Sequence, residues 1–216
     1  MSETDNYKKA VEKVKKATQT ARNQALSEPL PSLTRKQQIQ QRKISLQVSG
    51  NLNSEKNVQK FVESIGPNIA SNVDPRLIMA IIENESSFDP KAKSPKNAIG
   101  LMQIKDTTAT LIAKATGLDA KEILTDPAAN IQAGIWLFYN DIMPRYDDVD
   151  SDDQTKFALA EWNSSPRAIK KAQLAAATDG VSVNKVVSDF ESILRYLPEE
   201  TRKFVTKVAT SFGARK

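Results

Sequence analysis

Over most of the chain the apolar positions recur at helical spacing, and capping chemistry marks where several helices open. Asp74 followed by Pro75 is an N-cap with proline at the first helical position, and Leu77, Ile78, Ala80, Ile81 and Ile82 make the apolar face of the helix that follows. Asp126-Pro127, Ser165-Pro166 and Ser182 open further helices, each followed by apolar residues at the same spacing. Ile135-Trp136-Leu137-Phe138-Tyr139 is the greasiest stretch; it lies on the helix after Pro127 and is too short to span a membrane, so it belongs in the core. Strand signals are scarce. The best falls between Asn97 and Ile104, where a short hairpin is expected. The pattern predicts a mainly α domain with one small β-hairpin.

The helix opened by Pro75 closes on two glutamates, Glu83 and Glu85. At roughly 100° per residue from Leu77, Ile78, Ile81 and Ile82 fall at about 100°, 40° and 140°, Glu85 at about 80° and Glu83 at about 240°. Glu85 therefore continues the apolar stripe and Glu83 points away from it. A carboxylate held against isoleucines is desolvated, which favours its neutral form and makes Glu85 the candidate proton donor. After the helix, Ser94-Pro95-Lys96-Asn97 is turn material, and Gly100 marks a sharp bend or a close approach. Leu101-Met102-Gln103-Ile104 is too short and too mixed for a core helix.

Composition narrows the chemistry. With 216 residues the chain is long enough for one buried core plus an appendage. It has no cysteine and no histidine, which excludes disulfides, a thiol nucleophile, a Ser-His-Asp triad and a zinc site of the ordinary ligand types. The acidic run from Asp147 to Asp153 lacks the glycine and closing glutamate of a calcium loop and reads as a solvated loop. No metal and no cofactor are called for.

Glu85-Ser86-Ser87-Phe88-Asp89-Pro90-Lys91-Ala92, then Ser94, then Ala98-Ile99-Gly100-Leu101-Met102-Gln103-Ile104 with Thr107-Thr108-Ala109, resembles the signature of the soluble lytic transglycosylase family, muramidases of the lysozyme superfamily related to goose-type lysozymes. Ala158-Leu159-Ala160-Glu161-Trp162-Asn163 is similar to the family's Ala-x-x-Ala-Tyr-Asn stretch, and Leu197-Pro198-Glu199-Glu200-Thr201-Arg202-Lys203-Phe204-Val205 to its Pro-x-Glu-Thr-x-x-aromatic-Val close. The resemblance implies a lysozyme-like (α+β superfamily) catalytic domain, here residues 54–216, acting on peptidoglycan glycan strands. It implies that Glu85 is the single catalytic acid, protonating the oxygen between N-acetylmuramic acid and N-acetylglucosamine. The same carboxylate then takes the proton of the muramoyl C6 hydroxyl, which closes on C1 as a 1,6-anhydro ring. One carboxylate suffices because an internal hydroxyl replaces the water or enzyme nucleophile of two-carboxylate glycosidases. Ser86, Met102, Gln103, Asn163 and Glu200 match positions that meet the sugars.

This chain departs from the family at Trp162-Asn163-Ser164-Ser165, where Tyr-Asn-Ala-Gly is usual. The indole of Trp162 only donates through its ring nitrogen, where the tyrosine hydroxyl both donates and accepts. Trp162 reads equally as a core aromatic and as a platform stacking on a sugar. A hydrolase of the goose-lysozyme type and a catalytically degenerate binding or structural protein are the alternatives to a lytic transglycosylase.

Residues 1–53 are a different kind of sequence. They hold ten lysines and arginines against four acids, a balance of +6, whereas the rest of the chain holds 21 against 22. Tyr7, Ala10, Val11, Val14, Ala17 and Ala21 follow a thin helical stripe, Pro29 and Pro31 break it, and a second polar helix begins near Thr34. Such a basic helical arm suits a partner or an anionic surface, virion proteins or nucleic acid among them, and equally suits a solvated extension. The opening residues are acidic and no apolar run of signal length follows, nor is there a transmembrane segment. The expectation is a bacteriophage virion protein that acts in the bacterial periplasm and cell wall, opening it for genome entry. Release from the host cytoplasm through a holin, and a secretion-system accessory role, are the alternatives.

Overall fold

The computed structural model describes residues 52–215 and divides them into two units, one of residues 52–139 with 208–215 and one of residues 140–207. The basic arm, its proline break and its contacts lie outside the described residues.

In the first unit, α1 (Glu55–Ile69) is capped by Ser54 and buries Val58, Phe61, Val62 and Ile65, spaced three and four apart as one helical face requires. Asp74 caps α2 (Pro75–Ser86), its carboxylate accepting from the Arg76 N–H at 2.9 Å. The Arg76 guanidinium, hydrogen-bonded to the carboxylate, and after it this backbone bond hold the Asp74 carboxyl below the usual carboxylate range against the opposing effect of burial. The phenol of Tyr139 closes the cap from the other side, accepting from the Asp74 N–H at 2.9 Å, and burial pushes this phenol up to about 12. Every residue from Leu77 to Ile82 is buried, so over these residues α2 is surrounded on all sides and not only along one stripe. It packs on α1, which also packs on α5 (Pro127–Trp136). α3 (Asp106–Thr116) and α4 (Ala120–Thr125) complete this layer, α4 lying against both α3 and α5. Of the apolar stretch Ile135–Tyr139, Ile135, Trp136, Phe138 and Tyr139 are buried and Leu137 is half-buried, but the α-helix stops at Trp136 and a π-helical turn, Leu137–Ile142, takes over.

The predicted hairpin between Asn97 and Ile104 is reduced to two isolated antiparallel bridges, Lys93 with Ile99 and Ile99 with Ile104, and no regular strand occurs among the described residues. Asn97, Gly100 and Gln103 all take left-handed backbone, so the chain turns back before a ladder can extend.

In the second unit a 3₁₀ turn (Met143–Tyr146) packs on α6 (Ser151–Asn163), and α6 packs on α7 (Pro166–Thr178). α8 (Val183–Ser188) and α9 (Glu191–Leu194) lie against α7. α10 (Glu199–Ala214) begins in this unit and ends in the first. Tyr146 stacks on Phe157 at 5.2 Å, and Phe157 meets Phe190 edge-on at 5.3 Å. The acidic run is only partly a loop: Asp147 and Asp148 are exposed, but Asp150 caps α6 and Asp153 accepts from the Phe190 N–H at 3.3 Å. An acidic cluster is favourable at a helix N-terminus, which a loop reading overlooks.

Candidate active site

The site in the first unit begins where α2 ends. Glu83, Asn84, Glu85 and Ser86 form its last turn, and all four are half-buried. Helical phase therefore does not separate the two glutamates by burial, because α2 is enclosed all round from Leu77 to Ile82. Glu83 pairs with Arg215 at 2.9 Å. The Ser86 hydroxyl donates back to the Ile82 carbonyl at 3.1 Å, which fixes its rotamer beside Glu85. Ser87 and Phe88 then turn the chain with φ of 51° and 63°, and the Ser87 N–H closes the helix on the Glu83 carbonyl at 2.9 Å.

The loop that follows is organised by a residue that motif reading passed over. Asn130, on α5 and 1% exposed, accepts from the Met102 N–H at 2.8 Å and donates to the carbonyls of Ile99 and Ile123 at 3.1 and 2.9 Å. Its amide lies so close to Gly100 that a Cβ there would stand 2.8 Å from it, and Gly100 has φ 82°. Glycine is thus required at residue 100 twice over, by dihedral and by approach. A buried polar residue with no apolar period is the signal that could have pointed to Asn130.

Met102, expected at the sugars, is fully buried, with its side chain against Gly134. A Cβ on Gly134 would come within 2.6 Å of the methionine methyl carbon, so Met102 fills a notch in α5 and supports the loop from behind. Gln103 is half-buried and left-handed (φ 47°), and its amide nitrogen donates to the carbonyls of Gly100 and Ala92 at 2.9 and 3.2 Å. Half of its side chain is thus committed to holding the loop, leaving the amide oxygen as the atom available for a ligand.

Trp162, Asn163 and Glu200 belong to the second unit. Trp162 and Asn163, at the end of α6, are half-buried, and Glu200 is exposed in the first turn of α10. The Asn163 Oδ1 is buried without a hydrogen-bond partner among the described residues, an unusual state for a native amide oxygen. Beside them, Glu161 is 5% exposed and fully engaged: it pairs with Arg145, and the Tyr146 hydroxyl donates to it at 2.6 Å. Arg145 also pairs with Asp141.

Comparison with known proteins gives the family. The transglycosylase SLT domain matches residues 65–182, more than half of the chain. The chain belongs to this family. It is 30% identical over 156 residues to membrane-bound lytic murein transglycosylase C of Mannheimia succiniciproducens and 32% identical over 151 residues to the protein of that name from Haemophilus influenzae, in each case over 66% of this chain and 39% of the relative. The chain thus spans about two fifths of the length of the curated relatives it matches. The crystal structure of the 70 kDa soluble lytic transglycosylase of Escherichia coli superposes with a TM-score of 0.54 at 21% identity, covering 90% of this chain and 32% of that one. The fold is that of the lysozyme-like domain, reached with bridges in place of strands.

Proposed function

We propose that the protein is a peptidoglycan lytic transglycosylase with Glu85 as its acid and base. The observation that carries this reading is the coincidence of family membership over residues 65–182 with Glu85-Ser86 at the half-buried end of α2, directly before the left-handed turn. Glu85 donates its proton to the glycosidic oxygen between N-acetylmuramic acid and N-acetylglucosamine as the C1–O4 bond breaks. It then receives the proton of the muramoyl C6 hydroxyl as the C1–O6 bond forms, so no water is consumed and the carboxyl returns to its starting state. An internal hydroxyl held close to C1 supplies the effective concentration that a second carboxylate supplies elsewhere. In the first unit Ser86 and Gln103 are the proposed glycan contacts; in the second, taken by itself, they are Trp162, Asn163 and Glu200. A sugar hydroxyl or acetamido N–H is the kind of donor that would satisfy the Asn163 Oδ1.

Mass spectrometry of the products from purified sacculi tests the reaction type. Muropeptides ending in 1,6-anhydromuramic acid are expected; reducing ends would assign a goose-type hydrolase, and no release would assign a binding protein on an enzyme's fold. We further propose that the protein is carried in a phage virion and opens the wall locally at genome entry, its basic residues 1–53 meeting virion proteins or nucleic acid. The charge asymmetry supports this, since the whole surplus of positive charge lies in those residues. Detection in purified particles is expected, and detection in lysates alone would overturn it.

A further inference from the structure

The end of α2 is built against its own electrostatics. The last turn of a helix presents unpaired carbonyls and the negative pole of the helix dipole, where cations stabilise and anions do not. In α2 this turn carries Glu83 and Glu85 and no basic residue. The two residues that leave it, Ser87 and Phe88, are both left-handed, a conformation that side-chain-bearing residues keep only when their surroundings hold it.

Arg215 supplies what the turn lacks. It donates from Nη2 to Glu83 Oε2 at 2.9 Å and from Nη1 to Glu55 Oε1 at 2.7 Å, and its guanidinium carbon stands 5.7 Å from the centre of the Phe88 ring. One side chain, 20% exposed, thereby joins the first residue of α1, the last turn of α2 and the left-handed turn beyond. The segment that carries it is seated on α2 by a second contact, the Arg76 guanidinium over the Phe212 ring at 5.2 Å. All of these groups lie in the first unit. In sequence, Glu85 falls between the two residues of this turn that Arg215 grips, two after Glu83 and three before Phe88.

We propose that Arg215 is a positioning residue for the reaction: by holding Glu83 and Phe88 it fixes the turn that aims Glu85 at the glycosidic oxygen. This rests on the reading of Glu85 as the acid. Stability alone does not account for the arrangement, because the Glu83 and Glu55 side chains are 43% and 52% exposed and half-exposed ion pairs contribute little to folding. Placement does, since an error of about 1 Å in a catalytic group can cost on the order of a hundred-fold in rate.

The test is steady-state kinetics of the full chain on purified uncrosslinked glycan strands, with Arg215→Ala, Arg215→Lys and Glu85→Gln compared well below each variant's own Tm. Arg215→Ala is expected to lower kcat about ten-fold with KM within about two-fold, the split that marks loss of transition-state placement. Arg215→Lys should recover part of this, because it keeps the charge but not the planar fork. If Arg215→Ala loses its helical circular dichroism, Glu83→Gln carries the same test, with about a three-fold loss of kcat expected. A kcat at the wild-type level, a change confined to KM or Tm, or no recovery with lysine would overturn the proposal and leave Glu85 standing if Glu85→Gln is inactive. Activity in Glu85→Gln would overturn both.

Discussion

Two helices carry a glutamate in their last turn, and the two side chains sit in different surroundings. Glu161, near the end of α6, is buried with both carboxylate oxygens occupied, one by Arg145 and one by the Tyr146 hydroxyl. Glu85, at the end of α2, is half-buried beside a turn of two left-handed residues. A carboxylate saturated by a buried guanidinium and a phenol has no reason to exchange protons with a substrate; it is an anchor for α6 and the 3₁₀ turn. A carboxylate that reaches the surface at a strained turn is where a substrate oxygen can meet it.

The contrast can be tested first at its heavier end. Glu161→Ala leaves Arg145 buried with only Asp141 as a partner and removes the acceptor for Tyr146. Loss of one member of such a pair should cost about 3–5 kcal/mol, read by urea unfolding, and the protein remaining folded at the assay temperature should still release product. If Glu161→Ala melted like the wild type, the anchor would have to be found elsewhere.

Gly100→Ala comes next. It places a Cβ 2.8 Å from the Asn130 amide on a backbone with φ 82°, for an expected loss of about 2–3 kcal/mol. Because Asn130 also holds the Met102 N–H, activity should fall faster than stability as the loop behind the site shifts. Equal losses in both would reduce Gly100 to a folding residue.

Tyr139→Phe is the mildest. It removes the acceptor for the Asp74 N–H and should cost about 1 kcal/mol at neutral pH. The phenol's folded value of about 12 lies above its ordinary 10, so its neutral form is favoured in the fold. This contribution is complete below about pH 10 and is lost between about pH 10 and 12, as the unfolded chain ionises first. Alkaline unfolding curves of the phenylalanine variant should lack that share of the decline.

What could be read from sequence follows the range of the interactions. The openings at Asp74-Pro75, Asp126-Pro127, Ser165-Pro166 and Ser182 are where the helices start, because caps and prolines act within a few residues. Gly100 was legible as a site of close approach, but not what it approaches, since Asn130 lies thirty residues on. Arg215 meets Glu83 across 132 positions, and no local pattern announces that. Met102 matched a family position, yet its backbone bond to Asn130 and its packing on Gly134 turn its side chain inward. The phase of α2 separated two glutamates on the assumption of a one-sided helix, whereas the residues before them are enclosed all round. The hairpin prediction counted turn signals correctly and overlooked that three left-handed residues so close together leave no room for strands.

The central claim is that Glu85 alone moves the proton. Its most direct test is release of 1,6-anhydromuropeptides from purified sacculi by Glu85→Gln, an isosteric change that removes the proton and keeps the shape. A drop of about 10²–10⁴-fold with an unchanged Tm is the expected result. Release at the wild-type rate would contradict the account and return the choice of acid to the remaining carboxylates.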